Sequence, residues 1–361
     1  MPAGSDAAPT GQVVLPCPDL DATLVFFTDL LGFRLDTIMP ADQPRTAVVS
    51  GHGLCLRLER HDAGWPGRLR VTSDELRQRH GPTVEAPNGT VVELAAASPV
   101  LVVPPLAACL ELTTAAERDA GGVGRAAMHY RDLLPRRQGG RFIASHITIP
   151  DAGPVADYVH HHRIRFQVIY CRRGWVRVVY EDQGEPFVLE AGDCVLQPSG
   201  IRHRVLESSA GLEVIEVTCP AEHPTHVDHD LPLPTADLRP ERTFDGQTFV
   251  RHRAADAVWG PWRSAGFEAR DCGIAAATNG LGEVRLVRAI DDGAATAWGH
   301  HDAELRFWFV TAGAASLRVD GRPDVQLGTD DAVAVPAGLD HALAACSDDF
   351  QLIEVALPAV P

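Results

Sequence analysis

The chain has 361 residues, 45% of them hydrophobic and 22% charged, with a formal net charge of −16. This balance belongs to a globular chain long enough for two or three full cores, and its sign argues against nucleic acid or an anionic membrane as partner. No apolar run approaches the roughly 20 residues of a membrane span, and no basic segment leads into an apolar one near Met1, so the expected location is the cytoplasm.

Residues 12 to 94 read as one βαβββ unit. Val13-Val14-Leu15 is a short strand, Asp19 and Asp21 offer helix caps, and Leu20, Leu24, Phe27 and Leu31 recur at helical spacing before Gly32 stops the helix. Alternating strands follow around Ala47-Val48-Val49 and Leu54 to Leu58, and a turn at Asn88-Gly89 leads to a last strand ending in Glu93-Leu94. The stretch Phe26 to Phe33 and this closing strand resemble the glyoxalase or vicinal-oxygen-chelate family. That family builds a metal cup from two such modules, and one is visible here. The resemblance would make Glu93 a candidate ligand, but the first strand offers Gln12 and no histidine, so Glu93 and nearby His52 read as an edge carboxylate and a loop imidazole. A structural or lid role is expected. The sheet face carrying Leu54, Leu56 and Leu58 would be bare, which predicts pairing with a second copy as a homodimer.

Residues 101–127 form a connector rich in Ala, Pro and Leu, broken at Pro104-Pro105 and Gly121-Gly122, with a short helix expected between Leu106 and Arg118. The next segment carries the chemistry. His160 and His162, one residue apart on a strand, share a face, while His161 points away. A third imidazole, His203, follows the turn Pro198-Ser199-Gly200. The spacing His160-x-His162, Gln167, Gly174, followed by Gly192, Pro198, Gly200 and His203, resembles the two motifs of the cupin superfamily. The departure is Gln167, where the family usually has Glu. The resemblance implies a small β-barrel and a metal held by His160, His162 and His203, with Gln167 as fourth ligand or as donor to a bound water.

The last third repeats the middle third at an offset of 138 or 139 residues. Pro198-Ser199-Gly200 with His203 recurs as Pro336-Ala337-Gly338 with His341, and Ile215-Glu216-Val217 recurs as Ile353-Glu354-Val355. The expected fold is therefore mainly β: a bicupin with barrels at 128–235 and 236–361, preceded by the α+β module at 1–100. The second barrel keeps His301 and His341 as plausible ligands, with Gly299 in the place of His160, and either Arg306 or Trp308 in the place of Gln167. A substrate-shaping or scaffold role is expected of it.

Three neutral imidazoles leave positions open on a divalent ion. Fe(II) is the first expectation, with Ni, Cu, Mn or Zn as alternatives. The resemblance implies a dioxygenase using dioxygen on a small anionic or enolisable substrate. The alternatives are a non-redox isomerase or lyase, in which the ion polarises a carbonyl, and a binding protein without turnover. An amide at 167 would leave the site more positive than a carboxylate would, favouring an anion. Arg163, Arg165, Arg202 and Arg204 lie beside the ligands, and Arg165 joins Gln167 as a catalytic candidate. The run His223, His226, His229 is expected to be an ordered loop at the barrel mouth, and Phe166, Tyr170 and Trp175 to be core. Eight scattered cysteines without a Cys-x-x-Cys pair suit free thiols in a reducing compartment.

Overall fold

A computed structural model describes residues 11–116 and 122–359. Its contacts divide the chain into two units, Met1–Val100 and Leu101–Pro361. No helix among the described residues is long and apolar enough to cross a membrane.

In the first unit the strands Val13–Pro16, Leu54–Glu59, Thr46–Gly51 and Arg34–Met39 lie in that order in one sheet, the first two parallel and the rest antiparallel. The helix Leu20–Val25 starts where the Asp19 carboxylate accepts from the Ala22 amide at 3.0 Å, and continues as a π-turn over Phe26–Leu30. Gly32, at φ +71°, ends it in a conformation that a side chain would resist.

A second, shorter βαββ copy follows: strand Arg68–Thr72, helix Asp74–His80 capped by Ser73, and strands Thr83–Glu85 and Val91–Ala95. Its outer strand is again parallel to the strand that closes it. The two copies share one core, in which Leu20, Phe27, Leu56 and Leu58 meet Leu69, Val71, Val92 and Leu94. The expectation of a single module with a bare face is therefore corrected. Leu56 and Leu58 are fully buried and Leu54 is partly buried, so the ground for expecting a homodimer through this face falls away.

The second unit consists of two barrels. A seven-stranded sheet with Phe166–Arg173 and Leu212–Cys219 near its middle faces a sheet containing Trp175–Tyr180, His203–Ser208 and His160–His162. The second barrel repeats this plan around Leu305–Ala312 and Gln351–Leu357, faced by Ala314–Val319 and His341–Ala344. Strand alternation sorts the side chains. Phe166, Val168 and Tyr170 join Leu305, Phe307 and Phe309 in a core shared by the two barrels. The alternate residues face the interiors: Cys171 lies in the core of the first barrel, and Trp308 and Val310 in that of the second.

The segment expected to be a connector helix contains a strand instead. Glu111–Thr113 pairs with Ala332–Ala334 and so completes the sheet of the second barrel. Its counterpart in the repeat, Val250–His252, pairs with Cys194–Leu196 of the first barrel. Each copy thus lends its leading strand to the other. The Ala115 amide donates to Asp331, 216 residues away, at 2.7 Å, and ties this exchange down. Arg118 and Gly121 lie outside the described residues.

Candidate metal centre

His160 and His203 are directly paired across neighbouring antiparallel strands. The turn between residues 198 and 203 needs Gly200 at φ +82°, and its amide donates to the His162 carbonyl at 2.8 Å. That bond locks the two histidine segments together. Ring centroids lie 4.2 Å apart for His160 and His203, 5.1 Å for His160 and His162, and 5.4 Å for His162 and His203. One nitrogen from each lies within 4.8 Å of the others, and all three side chains are buried. Among the described residues this is the one such convergence of His, Cys, Asp and Glu.

Backbone carbonyls set the tautomers of two of the rings. His160 Nδ1 donates to the Tyr158 carbonyl at 2.8 Å, and His203 Nδ1 to the Ile201 carbonyl at 3.0 Å. His160 Nε2 is left buried without a partner. Burial, more than any neighbouring charge, pushes all three imidazoles below their usual range, His162 to about 3. Three imidazoles held neutral at neutral pH, with nitrogens converging on one point, are the donor set a transition ion requires.

Gln167 lines the same pocket, which is about 720 Å³ including its open mouth. Its Nε2 donates to Glu216 Oε1, while its own Oε1 is buried and unpartnered. Glu216 was not named from sequence as part of the site. It faces the pocket beside Gln167 and also accepts from Thr218 Oγ1 at 3.2 Å. The expectation that an amide at 167 leaves the site more positive than a carboxylate would is therefore corrected, because Glu216 supplies negative charge one side chain further out. A signal existed: Glu216 stands between Ile215 and Val217 in the strand Leu212–Cys219.

Arg165 is not part of the pocket. Its guanidinium bonds Glu304 of the second barrel at 2.8 Å, and Arg141 bonds the same carboxylate at 2.6 Å. Arg202 is taken up by Asp228 at 3.1 Å. The arginines that line the pocket are Arg204 and Arg125, the latter paired with buried Asp157. Much of the remaining wall is apolar, including Met128, Ile147, Val178, Leu189 and Val214, and the phenol of Tyr130 completes the polar side. Phe166 and Tyr170 are core, as expected.

Of the histidine run after Cys219, His226 lies on a strand where a loop was expected, while His223 and His229 flank it outside any strand. Thr225–Val227 pairs with His160–His162, and His226 stacks on outward-facing His161 at 5.1 Å. His223 holds the Pro220 carbonyl through Nδ1 at 3.0 Å and meets the His162 ring edge-on.

The second barrel resolves the register. Leu305 pairs with Leu357 as Phe166 pairs with Cys219, so Arg306 stands where Gln167 stands in the first barrel. His301 is corrected as a candidate ligand: its Nε2 donates to the Val335 carbonyl at 2.9 Å, and its Nδ1 accepts from the Ala303 amide at 3.2 Å. Both of its nitrogens are thus used.

Residues 287–355, in this second barrel, match the family Cupin_2, described as a cupin domain. The chain carries a cupin fold. Solved structures similar to it include oxalate decarboxylase from Bacillus subtilis, at 14% identity over 74% of this chain and 81% of that one with a TM-score of 0.51, studied for its Mn(II) centres. Salicylate 1,2-dioxygenase from Pseudoaminobacter salicylatoxidans is 14% identical over 71% of this chain and 86% of that one, with a TM-score of 0.52. Protein Ylba from E. coli is 12% identical over 69% and 90%, with a TM-score of 0.51. No curated protein matches the chain by sequence. At these identities the cupin likeness concerns the fold.

Proposed function

We propose that the first barrel is the active centre of a mononuclear metal-dependent enzyme, a dioxygenase acting on a small anionic or enolisable substrate. The observation that carries this reading is the buried convergence of His160, His162 and His203, with His160 Nε2 unpartnered. Those three residues would hold the ion, and Fe(II) suits a nitrogen-rich site with open positions. When bound, the ion supplies Lewis acidity and, as Fe(II), a route for electrons to dioxygen. The chain supplies the rest. Glu216 accepts from Gln167 Nε2 and fixes the amide, so that Oε1 is the atom left to a ligand or water. Arg204 offers positive charge for a substrate carboxylate or enolate, with Arg125 held beside it by Asp157, and the apolar wall limits water around the reacting atoms.

A second reading, a non-redox lyase or isomerase, draws support from the oxalate decarboxylase among the similar folds. Oxygen uptake by the Fe(II)-loaded protein with 2-oxo acids, diketones and hydroxylated aromatic acids tests the choice. Uptake matched to substrate loss is expected. Turnover without uptake would favour the second reading, and binding without turnover under any metal would leave a binding protein.

For the Met1–Val100 unit we propose a vicinal-oxygen-chelate-like module without a metal of its own. In support, His52 Nε2 meets the Leu31 carbonyl at 2.7 Å, and Glu93 pairs with Arg70 at 3.4 Å.

A further inference from the structure

The second barrel has lost its metal ligands but not its pocket. A cavity of about 540 Å³, including its mouth, is lined by Trp262, Arg263, Ser264, Arg306, Trp308 and His341, among others. It lies in the barrel whose counterpart of Gln167 is Arg306. Arg306 is 6% exposed as a whole residue, its Nε has no hydrogen-bond partner, and among the described residues no carboxylate forms an ion pair with it.

The nearby acids are already engaged. Glu354 is held by Arg263 at 2.6 Å and by the Trp308 indole N–H at 2.7 Å, and Glu283 pairs with Arg285 at 2.9 Å. The carboxylates of Glu354 and Glu283 act on Arg306 through space without an ion pair to it, and burial outweighs them. A buried cation of this kind is costly unless an anion answers it at close range. The cavity also collects donors. The Trp262 indole N–H is buried and unpartnered, and His341 spends Nδ1 on the Leu339 carbonyl at 2.8 Å, leaving Nε2. Among the described residues no carboxylate lines the cavity.

We propose that the second barrel is a metal-free binding site for a small organic carboxylate. Its carboxylate pairs with Arg306, and its body lies against Trp262 and Trp308. In the first barrel an ion would supply the positive charge at the pocket floor, whereas in the second the protein supplies it as a guanidinium. The site does not depend on the reading of the first barrel.

Calorimetry on the full chain tests this with benzoate as the probe and neutral benzamide as the charge control. Benzoate should bind and benzamide should not. Arg306→Gln, which installs the residue of the first barrel, should weaken benzoate by about tenfold or more, because a charge-assisted bidentate pair is lost. Arg306→Lys should retain part of the affinity, and Trp262→Phe, which keeps a ring but removes the N–H, should weaken it severalfold. Metal content should not change in any of these variants, which separates the site from the first barrel. If Arg306→Gln proves unfolded by circular dichroism, the lysine and phenylalanine variants carry the test. Unchanged benzoate affinity in folded Arg306→Gln, equal binding of benzamide, or no benzoate binding at millimolar concentration would overturn the proposal.

Discussion

His160 and His203 each give one ring nitrogen to a backbone carbonyl, so what remains for an ion is fixed before the ion arrives. The purified protein should hold about one transition ion per chain, and His203→Ala should lose it while the barrel stays folded. Elemental analysis beside circular dichroism checks this; two tightly held ions, or retention by the variant, would refute the assignment. Acid should act in a defined direction. His162 titrates near 3 in the folded protein, below the ordinary 6.5 of the unfolded chain. Between those values the unfolded state takes up a proton that the folded state refuses. The metal-free protein therefore loses stability as pH falls from 6.5, by up to about 1.4 kcal/mol per pH unit for each such imidazole. Metal retention should extend well below pH 6.5, because protons compete weakly for these nitrogens, and a pH series of metal content against melting temperature measures both effects. Gln167→Glu would set two carboxylates side by side where Gln167 now donates to Glu216. The metal-free variant should lose about 1–3 kcal/mol, recovered by a bound ion or by adding Glu216→Gln. Equal melting temperatures of the metal-free parent and variant would show that Glu216 and residue 167 are not coupled.

At the scale of strands, Glu304 links the barrels through Arg141 and Arg165, but these groups are roughly a quarter exposed. Glu304→Ala should cost about 1 kcal/mol, discounted for solvent screening, and Arg165→Ala should leave metal content and substrate affinity intact. Loss of substrate affinity in Arg165→Ala would restore it to the site. Such elements show why some of the fold was legible in the sequence and some was not. The histidine motifs and the duplication rest on local spacing, which survives without tertiary context. Glu111–Thr113 inverts the usual code: Glu111 and Thr113 are buried and Leu112 is exposed, so alternation misleads. Asp74–His80 buries only Leu76 and has no apolar stripe, which hid the second βαββ copy. Glu216 became informative once its partner Gln167 was known, and Arg306 once its Nε was seen to lack one, since a charged residue in a strand signals function through what answers it.

For the whole molecule, the reciprocal loan of strands means that the boundary suggested by composition, near residue 128, would cut the second barrel when it was meant to trim the first. A chain spanning 128–361 should melt roughly 5–10 °C below one spanning 101–361 and should aggregate through the bared Ala332–Ala334 edge. Matching melting curves would show that the strand is dispensable. The exchange also sets an order in time. A ribosome adding about 5–20 residues per second makes Ala115 roughly 10 to 40 s before Asp331, its partner 216 residues away. The first barrel must likewise wait for Val250–His252. Each barrel is completed by a strand that leads the other, so a gene split between the duplicated halves would yield two fragments that must find each other to finish either fold.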